Sequence, residues 1–207
     1  IENLARFCYG IKVKETRSGG TNRRSPEKKK YDNLQGKLAE IIIYNLYNSK
    51  YNFEEIDFNL YELGEWDSVD LKSRKYEFDI NVKSGLKFHN LLLLAKKDYD
   101  DDGNYKHHNN TENYEKQLFS YVRLKLDKDK ITEMLSKNVD DFIKWFLEEY
   151  QTIEYDLFFC DIKKVQCVIK NNNLIREGNK LNGKEKMDAD NYYVLLYNMF
   201  ETIDELI

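Results

Sequence analysis

The chain of 207 residues is long enough for one well-packed domain, and its 41% hydrophobic residues, with 16 Tyr and 11 Phe, can supply the core. A net charge of −4 argues against a protein that is basic overall, although a local basic patch would suffice to bind nucleic acid. No apolar run reaches the ~18 residues of a membrane span. Three cysteines without metal-binding spacing indicate reduced, buried side chains in a cytoplasmic protein. We therefore predict a single domain over residues 1–207.

A strongly basic segment follows a weakly helical start at residues 1–11. Residues 12–30 contain eight Lys or Arg against two Glu, together with Gly and Pro residues that favour a loop. Such a loop can follow a phosphate backbone, where positive charge raises the affinity for DNA. A solvated loop without a partner is the alternative. The candidate DNA-binding residues are Arg17, Arg23, Arg24, Lys28 and Lys29.

A buried helix is predicted from Asp32 to about Asn48. Asp32 followed by Gln35 is a variant of the capping box, and an apolar stripe runs along the segment at helical spacing. The opposite side is also largely apolar around Glu40, so this carboxylate should have little water near it. A buried Glu is rare unless it is paired or binds a metal, which makes Glu40 a candidate functional residue. An exposed position at the edge of the helix is the alternative.

Residues 66–85 are predicted to form a β-hairpin, preceded by an edge strand at about Ile56–Tyr61. The alternation of the second strand places two sets of side chains on opposite faces. The strand should therefore bury an apolar face and present carboxylate, amide and ammonium groups on the other. The apolar set is Tyr76, Phe78, Ile80 and Val82, and the polar set is Glu77, Asp79, Asn81 and Lys83.

Asp70 on the first strand can join this polar row in two registers. Opposite Asn81 it leaves a four-residue connection, Arg74–Glu77, and opposite Asp79 it leaves a two-residue connection; both are ordinary hairpin loops. Residues three apart on a strand face opposite sides, so Asp67 and Asp70 cannot both face the row. Asp67 opposite Asn81 needs a loop of odd length and is the second choice.

The rest of the chain alternates between strand and helix patterns around a polar insertion. This order indicates an α/β (or α+β) fold in which a central mixed β-sheet is flanked by helices. Strand patterns cover 117–126 and 155–169, helical patterns cover 127–150 and 190–207, the insertion is 96–113, and 86–95 is apolar and of uncertain type.

Carboxylates that converge with a lysine on a rigid sheet suit metal-dependent cleavage of phosphodiesters. The reaction needs an activated water and neutralisation of charge on phosphorus, and one or two Mg²⁺ ions held by carboxylates provide both. Asp70 is the best candidate ligand, with the side chain of Asn81 and the carbonyl of Val82 as further oxygen ligands. Lys83 could orient the water or stabilise the developing charge. Glu40 could hold a second metal directly or through water.

The motifs QGKLAE, VDL and DINVKSG follow one another in the chain. Over roughly residues 32–85 the chain resembles the PD-(D/E)xK nuclease superfamily, which includes type II restriction endonucleases and archaeal Holliday-junction resolvases. In that family a GxxAE-type helix precedes a hairpin that carries an Asp and then (E/D)xK. The resemblance implies a restriction-endonuclease-like core, with the helix Glu at Glu40, the first Asp at Asp70 and the triplet at Asn81-Val82-Lys83.

Asn81 stands where the family pattern has an acid. Asp79, on the same face two residues earlier, could supply the missing charge as a metal ligand, or Asn81 could serve as a neutral oxygen ligand. A third explanation is an Asp→Asn change that inactivates the protein. A fourth is a degenerate relative that only binds, against which the intact Glu40, Asp70 and Lys83 argue.

These features predict a Mg²⁺-dependent, type II site-specific deoxyribonuclease that hydrolyses phosphodiester bonds of double-stranded DNA. Cutting two strands at a two-fold site implies a homodimer, and a restriction system implies a cognate DNA methyltransferase. A Holliday-junction resolvase or repair nuclease is the nearest alternative. A non-catalytic DNA-binding or interaction protein with a degenerate nuclease site is the alternative from another class. No membrane partner is expected.

Overall fold

The computed structural model describes residues 2–10, 25–59, 69–106, 116–181 and 185–207, which form a mixed α/β fold. The helices of this described part are α1 (Glu2–Gly10), α2 (Pro26–Tyr51), α3 (Lys128–Leu135), α4 (Val139–Tyr150) and α5 (Ile162–Lys170). Its strands are β1 (Leu71–Lys72), β2 (Asp79–Leu86), β3 (Leu91–Ala95), β4 (Gln117–Leu124), β5 (Tyr155–Asp161), β6 (Leu174–Ile175), β7 (Lys180–Leu181), β8 (Glu185–Lys186) and β9 (Asn191–Leu195). Short 3₁₀ turns cover Lys96–Asp98, Leu196–Asn198 and Ile203–Glu205.

A four-stranded sheet in the order β1-β2-β4-β5 forms the centre of the fold. β2 and β4 are parallel, whereas β1 and β5 run antiparallel to their neighbours. Because β2 and β4 are parallel, a long segment of chain must connect them. β3 lies in this connecting segment and pairs with β9 in a second sheet of order β3-β9-β6. The predicted mixed sheet flanked by helices is confirmed.

The two faces of the four-stranded sheet are covered differently. On the helix-side face, Ile80 and Val82 of β2 join a core cluster with residues of α1, α2, α3 and α4. On the opposite face, which we call the site face, Phe119 and Tyr121 of β4 belong to a second cluster with residues of β3, α5 and β9. The alternation predicted for β2 therefore buries its apolar side chains against helices and leaves its polar row on the site face.

Helix α2 begins at Pro26, earlier than predicted. Ser25 is the N-cap, since its side chain accepts a hydrogen bond from the N–H of Lys28 at 3.2 Å. Pro26 sits in the first turn, where no N–H is required. The predicted basic loop is therefore wrong for residues 26–30, and Lys28 and Lys29 lie on the first turns of the helix.

The hairpin has the register that a four-residue connection requires. Lys72 lies opposite Asp79, and continuing the same register by two residues places Asp70 opposite Asn81. Residues 74–77 form the connection. Of the two registers open from the sequence, the structure contains the first.

Strand structure in this region is shorter than predicted. β2 begins at Asp79 because Glu77 has a φ of 55°, in the left-handed region that interrupts a strand. The edge strand predicted at 56–61 is wrong for its described residues 56–59. There the side chain of Asp57 accepts a hydrogen bond from the N–H of Asn59 at 2.7 Å, a local turn that competes with strand pairing.

Two later segments adopt the opposite type of structure to that predicted. Residues 162–170 form α5 rather than strand, because Asp161 caps them with a 2.9 Å bond from the N–H of Lys164. Residues 191–195 form β9 rather than helix, since β3 and β6 pair with them on both sides. Partners that are distant in the chain outweigh local spacing in β9.

Other differences are local. The predicted helical stretch 127–150 is divided into α3 and α4 by Asn138, which caps α4 by accepting a 2.9 Å bond from the N–H of Asp141. Cys8 and Cys160 are buried as predicted, whereas Cys167 is exposed on α5. Across the described ranges, no helix combines the length and the apolar composition needed to span a membrane.

Candidate active site

The side chain of Asp70 reaches β2 just beyond the end of β1. Its Oδ2 accepts a hydrogen bond of 2.7 Å from the backbone N–H of Val82. In an antiparallel pair a residue that points its N–H at the neighbouring strand also points its C=O there. The Asp70 carboxylate and the Val82 carbonyl therefore share one edge of the hairpin, beside the side chain of Asn81.

Side chains of alternate β2 residues form the polar part of the site face. Asp79 is buried, with 6% of its surface exposed, Asn81 is half-buried and Lys83 is exposed. Lys72 of β1 lies opposite Asp79 and is exposed, so a second ammonium belongs to this face. Lys72 is not among the site residues predicted from the sequence, although the hairpin register is sufficient to place it on this face.

The site face contains a buried polar atom without a partner. Among the described residues, Nδ2 of Asn81 is buried and makes no hydrogen bond. An unpaired buried polar group costs about 1–3 kcal/mol and indicates a place that a ligand or water completes.

The structured beginning of the polar insertion approaches the same edge. Residues 96–106, predicted as part of an irregular insertion, contain a 3₁₀ turn and a bridge between Tyr99 and Tyr105. Burial raises the pKa of the Tyr105 hydroxyl, and the nearby carboxylates of Asp98 and Asp70 raise it further. Tyr105 therefore lies near both Asp98 and Asp70, a proximity to the hairpin that no local pattern in the sequence could indicate.

Glu40 is buried as predicted, and it forms an ion pair on the helix. Its Oε2 lies 2.6 Å from Nζ of Lys37, with the two residues 6% and 8% exposed. Helix α2 packs on the helix-side face, whereas Asn81 and Lys83 belong to the site face. The structure thus brings Asp70 against β2 and holds Glu40 in the helix layer beside Lys37.

The remaining predicted residues fall into two groups. Arg17, Arg23, Arg24 and Asp67 lie outside the described residues. Lys28 is exposed and Lys29 half-buried on the N-terminal turns of α2. Because Lys28 and Lys29 lie on a helix rather than in a loop, the helix fixes the positions from which their side chains would contact a phosphate backbone.

The oxygens near Asp70 suit a hard divalent cation. The second carboxylate oxygen of Asp70, the carbonyl of Val82 and the side-chain oxygen of Asn81 are ligands of the kind Mg²⁺ uses, and Mg²⁺ commonly keeps waters and one or two carboxylates. Within the described ranges no group of three or more His, Cys, Asp or Glu side chains is arranged to hold a metal. The residues present fit one ion that water and phosphate also coordinate.

Comparison with known proteins adds no relative. No protein-family model, curated protein or solved structure matches the chain. The candidate site is therefore defined by the register, burial and contacts of its own residues.

Proposed function

We propose that the chain is a Mg²⁺-dependent endonuclease that hydrolyses phosphodiester bonds of double-stranded DNA, in the manner of a type II restriction enzyme. The observation that supports this most is the 2.7 Å bond between Val82 N–H and Asp70 Oδ2. It sets Asp70 beside the Asn81-Val82-Lys83 triplet, in the order in which PD-(D/E)xK nucleases carry their residues. The proposal includes a restriction-endonuclease-like core built from α2, the hairpin and β4.

The residues of the site would divide the chemistry between them. Asp70, Asn81 and Val82 would hold Mg²⁺, which supplies a Lewis acid for the phosphate and lowers the pKa of a bound water. Lys83 is exposed two residues beyond Asn81 on the same face, so its ammonium can contact a phosphate oxygen and stabilise charge on it. The hydrogen bond from Val82 fixes the orientation of the Asp70 carboxylate before substrate arrives.

Asn81 makes this site weaker in charge than the family pattern. Asp79 shares its face and is buried near the β1–β2 edge, so it is the acid best placed to supply the missing charge. The unpaired Nδ2 of Asn81 offers a donor to a phosphate oxygen. We therefore assign Asn81 a role in contacting substrate as well as metal.

Cutting both strands of a duplex requires two such sites, and we propose a homodimer for that reason. The basic residues Lys28 and Lys29, with the arginines that precede α2 in the chain, would contact phosphates outside the scissile position. These contacts would position the duplex without reading its sequence.

The test is cleavage of plasmid and phage DNA by the whole chain in Mg²⁺ and in Mn²⁺. We expect the unaltered protein to cut and Asn81→Asp to cut faster, because the added charge strengthens metal binding. Lys83→Ala should lose about 100-fold or more of the rate. Lys163→Ala removes an exposed lysine from α5 and serves as the matched control, with no expected effect.

The products separate the nuclease classes. Discrete fragments would support restriction, whereas selective nicking of four-way junctions would identify a resolvase. Absence of cleavage by every form, Asn81→Asp included, in both metals would overturn the nuclease proposal.

A non-catalytic DNA-binding protein is the second candidate. Two observations favour it: an amide replaces the expected acid at Asn81, and no cluster of three acidic or other metal-binding side chains occurs in the described part of the chain. This candidate predicts duplex binding without cleavage. A filter-binding or fluorescence anisotropy titration alongside the cleavage assay distinguishes the two.

A further inference from the structure

His89, which is not among the predicted site residues, lies at the far end of the polar row. Gly85 follows Lys83 by two residues on the site face, and the space above it is occupied by Tyr121 and His89. A Cβ atom at Gly85 would lie 1.8 Å from the Tyr121 hydroxyl and 2.5 Å from Nδ1 of His89. Only glycine leaves room for these two side chains to meet over β2.

The hydroxyl of Tyr121 fixes the orientation of this histidine. Its oxygen lies 3.2 Å from Nδ1 of His89, and Tyr121 is only 5% exposed. Among the described residues the hydroxyl has no other hydrogen-bond partner, so its proton goes to Nδ1; the reverse arrangement would leave a buried O–H unpaired. Burial also raises the pKa of Tyr121, which keeps the hydroxyl protonated.

Donation by Tyr121 selects one form of the imidazole. With Nδ1 accepting, the ring proton of neutral His89 resides on Nε2. His89 is exposed, so this Nε2–H is open to a ligand. The other tautomer would place a donor on Nδ1 and remove the partner of the Tyr121 proton, so the geometry favours the tautomer with its proton on Nε2.

The separation between Lys83 and His89 is suitable for two side chains that contact one phosphate. Lys83 and Gly85 are two residues apart on the same face, which is about 6.6 Å along a strand. The imidazole lies directly over Gly85, and Lys83 is opposite Tyr121 in the β2–β4 register. The ammonium of Lys83 and the imidazole of His89 can therefore approach a group of phosphate size from the same side.

We propose that His89 is a substrate-contacting residue of this site, in which the imidazole donates Nε2–H to an oxygen of the phosphate that Lys83 contacts. Tyr121 is its positioning residue and Gly85 provides the space for both. The inference rests on the proposed function, because the phosphate it contacts is the scissile one of a DNA duplex. No proton is transferred in this role; the donor stabilises negative charge on the phosphate oxygens.

The tautomer can be measured without any activity assay. Ring ¹⁵N spectra of the whole chain should show His89 with an unprotonated Nδ1 and a protonated Nε2, with the signal assigned by its loss in His89→Gln. Tyr121→Phe should release this preference, whereas Tyr44→Phe, which removes a hydroxyl from α2, should leave it unchanged. A short DNA duplex added without divalent metal should move the Nε2–H signal of the unaltered protein.

Two amide replacements test the donor in catalysis. Gln places a donor near the position of Nε2, whereas Asn reaches only the position of Nδ1. We expect His89→Asn to lower kcat by about 100-fold, His89→Gln to retain at least about a tenth of the activity, and Tyr121→Phe to lower kcat by about 10-fold. KM should change little in all three variants if the contact strengthens in the transition state.

The two experiments separate this inference from the proposed function. Cleavage with unchanged kcat in His89→Asn would overturn the role of His89 and leave the nuclease proposal standing. Without cleavage by any form, a Nε2–H signal that responds to duplex would support His89 as a contact in a binding-only protein. A protonated Nδ1, or a Nε2–H signal unmoved by duplex, would overturn the inference in either case.

Discussion

The two faces of the central sheet differ in how their charged and polar side chains are paired. On the helix-side face the buried ion pair of Lys37 and Glu40 is closed at 2.6 Å, so each charge neutralises the other. On the site face, Asp70 receives a backbone hydrogen bond, Asn81 has a buried nitrogen without a partner and Lys83 projects into solvent. The first arrangement pairs its charges within the helix layer, whereas under the proposed function the second keeps hydrogen-bonding capacity available for a ligand.

Breaking the ion pair of the helix layer should produce the largest change in stability. Glu40→Ala leaves the Lys37 ammonium buried without its counter-charge, and we expect the free energy of unfolding to fall by about 3–5 kcal/mol in a urea titration. The double variant Lys37→Met with Glu40→Leu should recover most of this loss. Glu133→Ala breaks an exposed pair with Lys137 and should cost well under 1 kcal/mol. A loss no larger than that of Glu133→Ala would contradict the assignment.

Changing the charge on the site face should affect activity and leave stability almost unaltered. Asp70→Asn keeps an oxygen that can accept the Val82 N–H but removes the negative charge. We expect DNA cleavage to fall by about 100-fold or more, with the melting temperature nearly unchanged. Asp101→Asn, in an exposed turn, is the control. A large fall in melting temperature would show that Asp70 is structural instead.

Alanine substitutions at Gly85 and Gly36 should change stability in opposite directions on the two sides of the sheet. Gly85→Ala should destabilise the protein by about 1–3 kcal/mol, because the new Cβ collides with the Tyr121 hydroxyl and the His89 ring. Gly36→Ala in α2 meets nothing within 4 Å among the described residues and should stabilise by about 0.5–1 kcal/mol. Calorimetry of both variants, with opposite signs expected, checks this; a neutral Gly85→Ala would mean that Tyr121 and His89 can move aside at no cost.

The smallest effect on stability is expected at Asp204, which connects the C-terminal segment to Lys50 and Tyr51 of α2. Hydrogen bonds from Lys50 and Tyr51 lower the pKa of the Asp204 carboxyl below its usual 3.8. A lowered pKa in the folded state contributes stability above the unfolded pKa, and the contribution is lost as pH falls through the folded pKa. The unaltered protein should therefore melt above Asp204→Asn near neutral pH, with the gap closing in acid below about pH 4. Asp102→Asn, which removes an exposed carboxylate 4.0 Å from Lys170, is the matched control measured over the same pH range.

Short-range patterns predicted the hairpin well. Alternation in β2 placed Ile80 on the buried face, and loop length reduced the registers for Asp70 to two, of which one sets it opposite Asn81. These features depend on a few neighbouring residues and on the period of a strand. The sequence also contains the signal for the start of α2, because Ser25 followed by Pro26 is a capping pattern seven residues before Asp32.

What the sequence could not predict depends on distant partners. β9 has helical spacing but becomes a strand because β3 and β6 pair with it. Lys37 is three residues from Glu40, so helical spacing could indicate the pair, whereas its burial depends on the packed core. His89 follows the polar row by several residues, and its place over Gly85 depends on Tyr121 from another strand. Gly85, two residues after Lys83, is a local signal in the sequence for the space that Tyr121 and His89 occupy.

The separation of Tyr121 and His89 along the chain has a consequence for the order of folding. Asp70 and Val82 are 12 residues apart within one hairpin, whereas His89 and Tyr121 are 32 residues apart and meet through the parallel β2–β4 pair. Closing the longer loop costs about 0.9 kcal/mol more chain entropy, and parallel pairing is intrinsically slow. We expect conservative variants of the hairpin to slow refolding while Tyr121→Phe mainly speeds unfolding. The candidate metal ligands would then be in place before the histidine that completes the site.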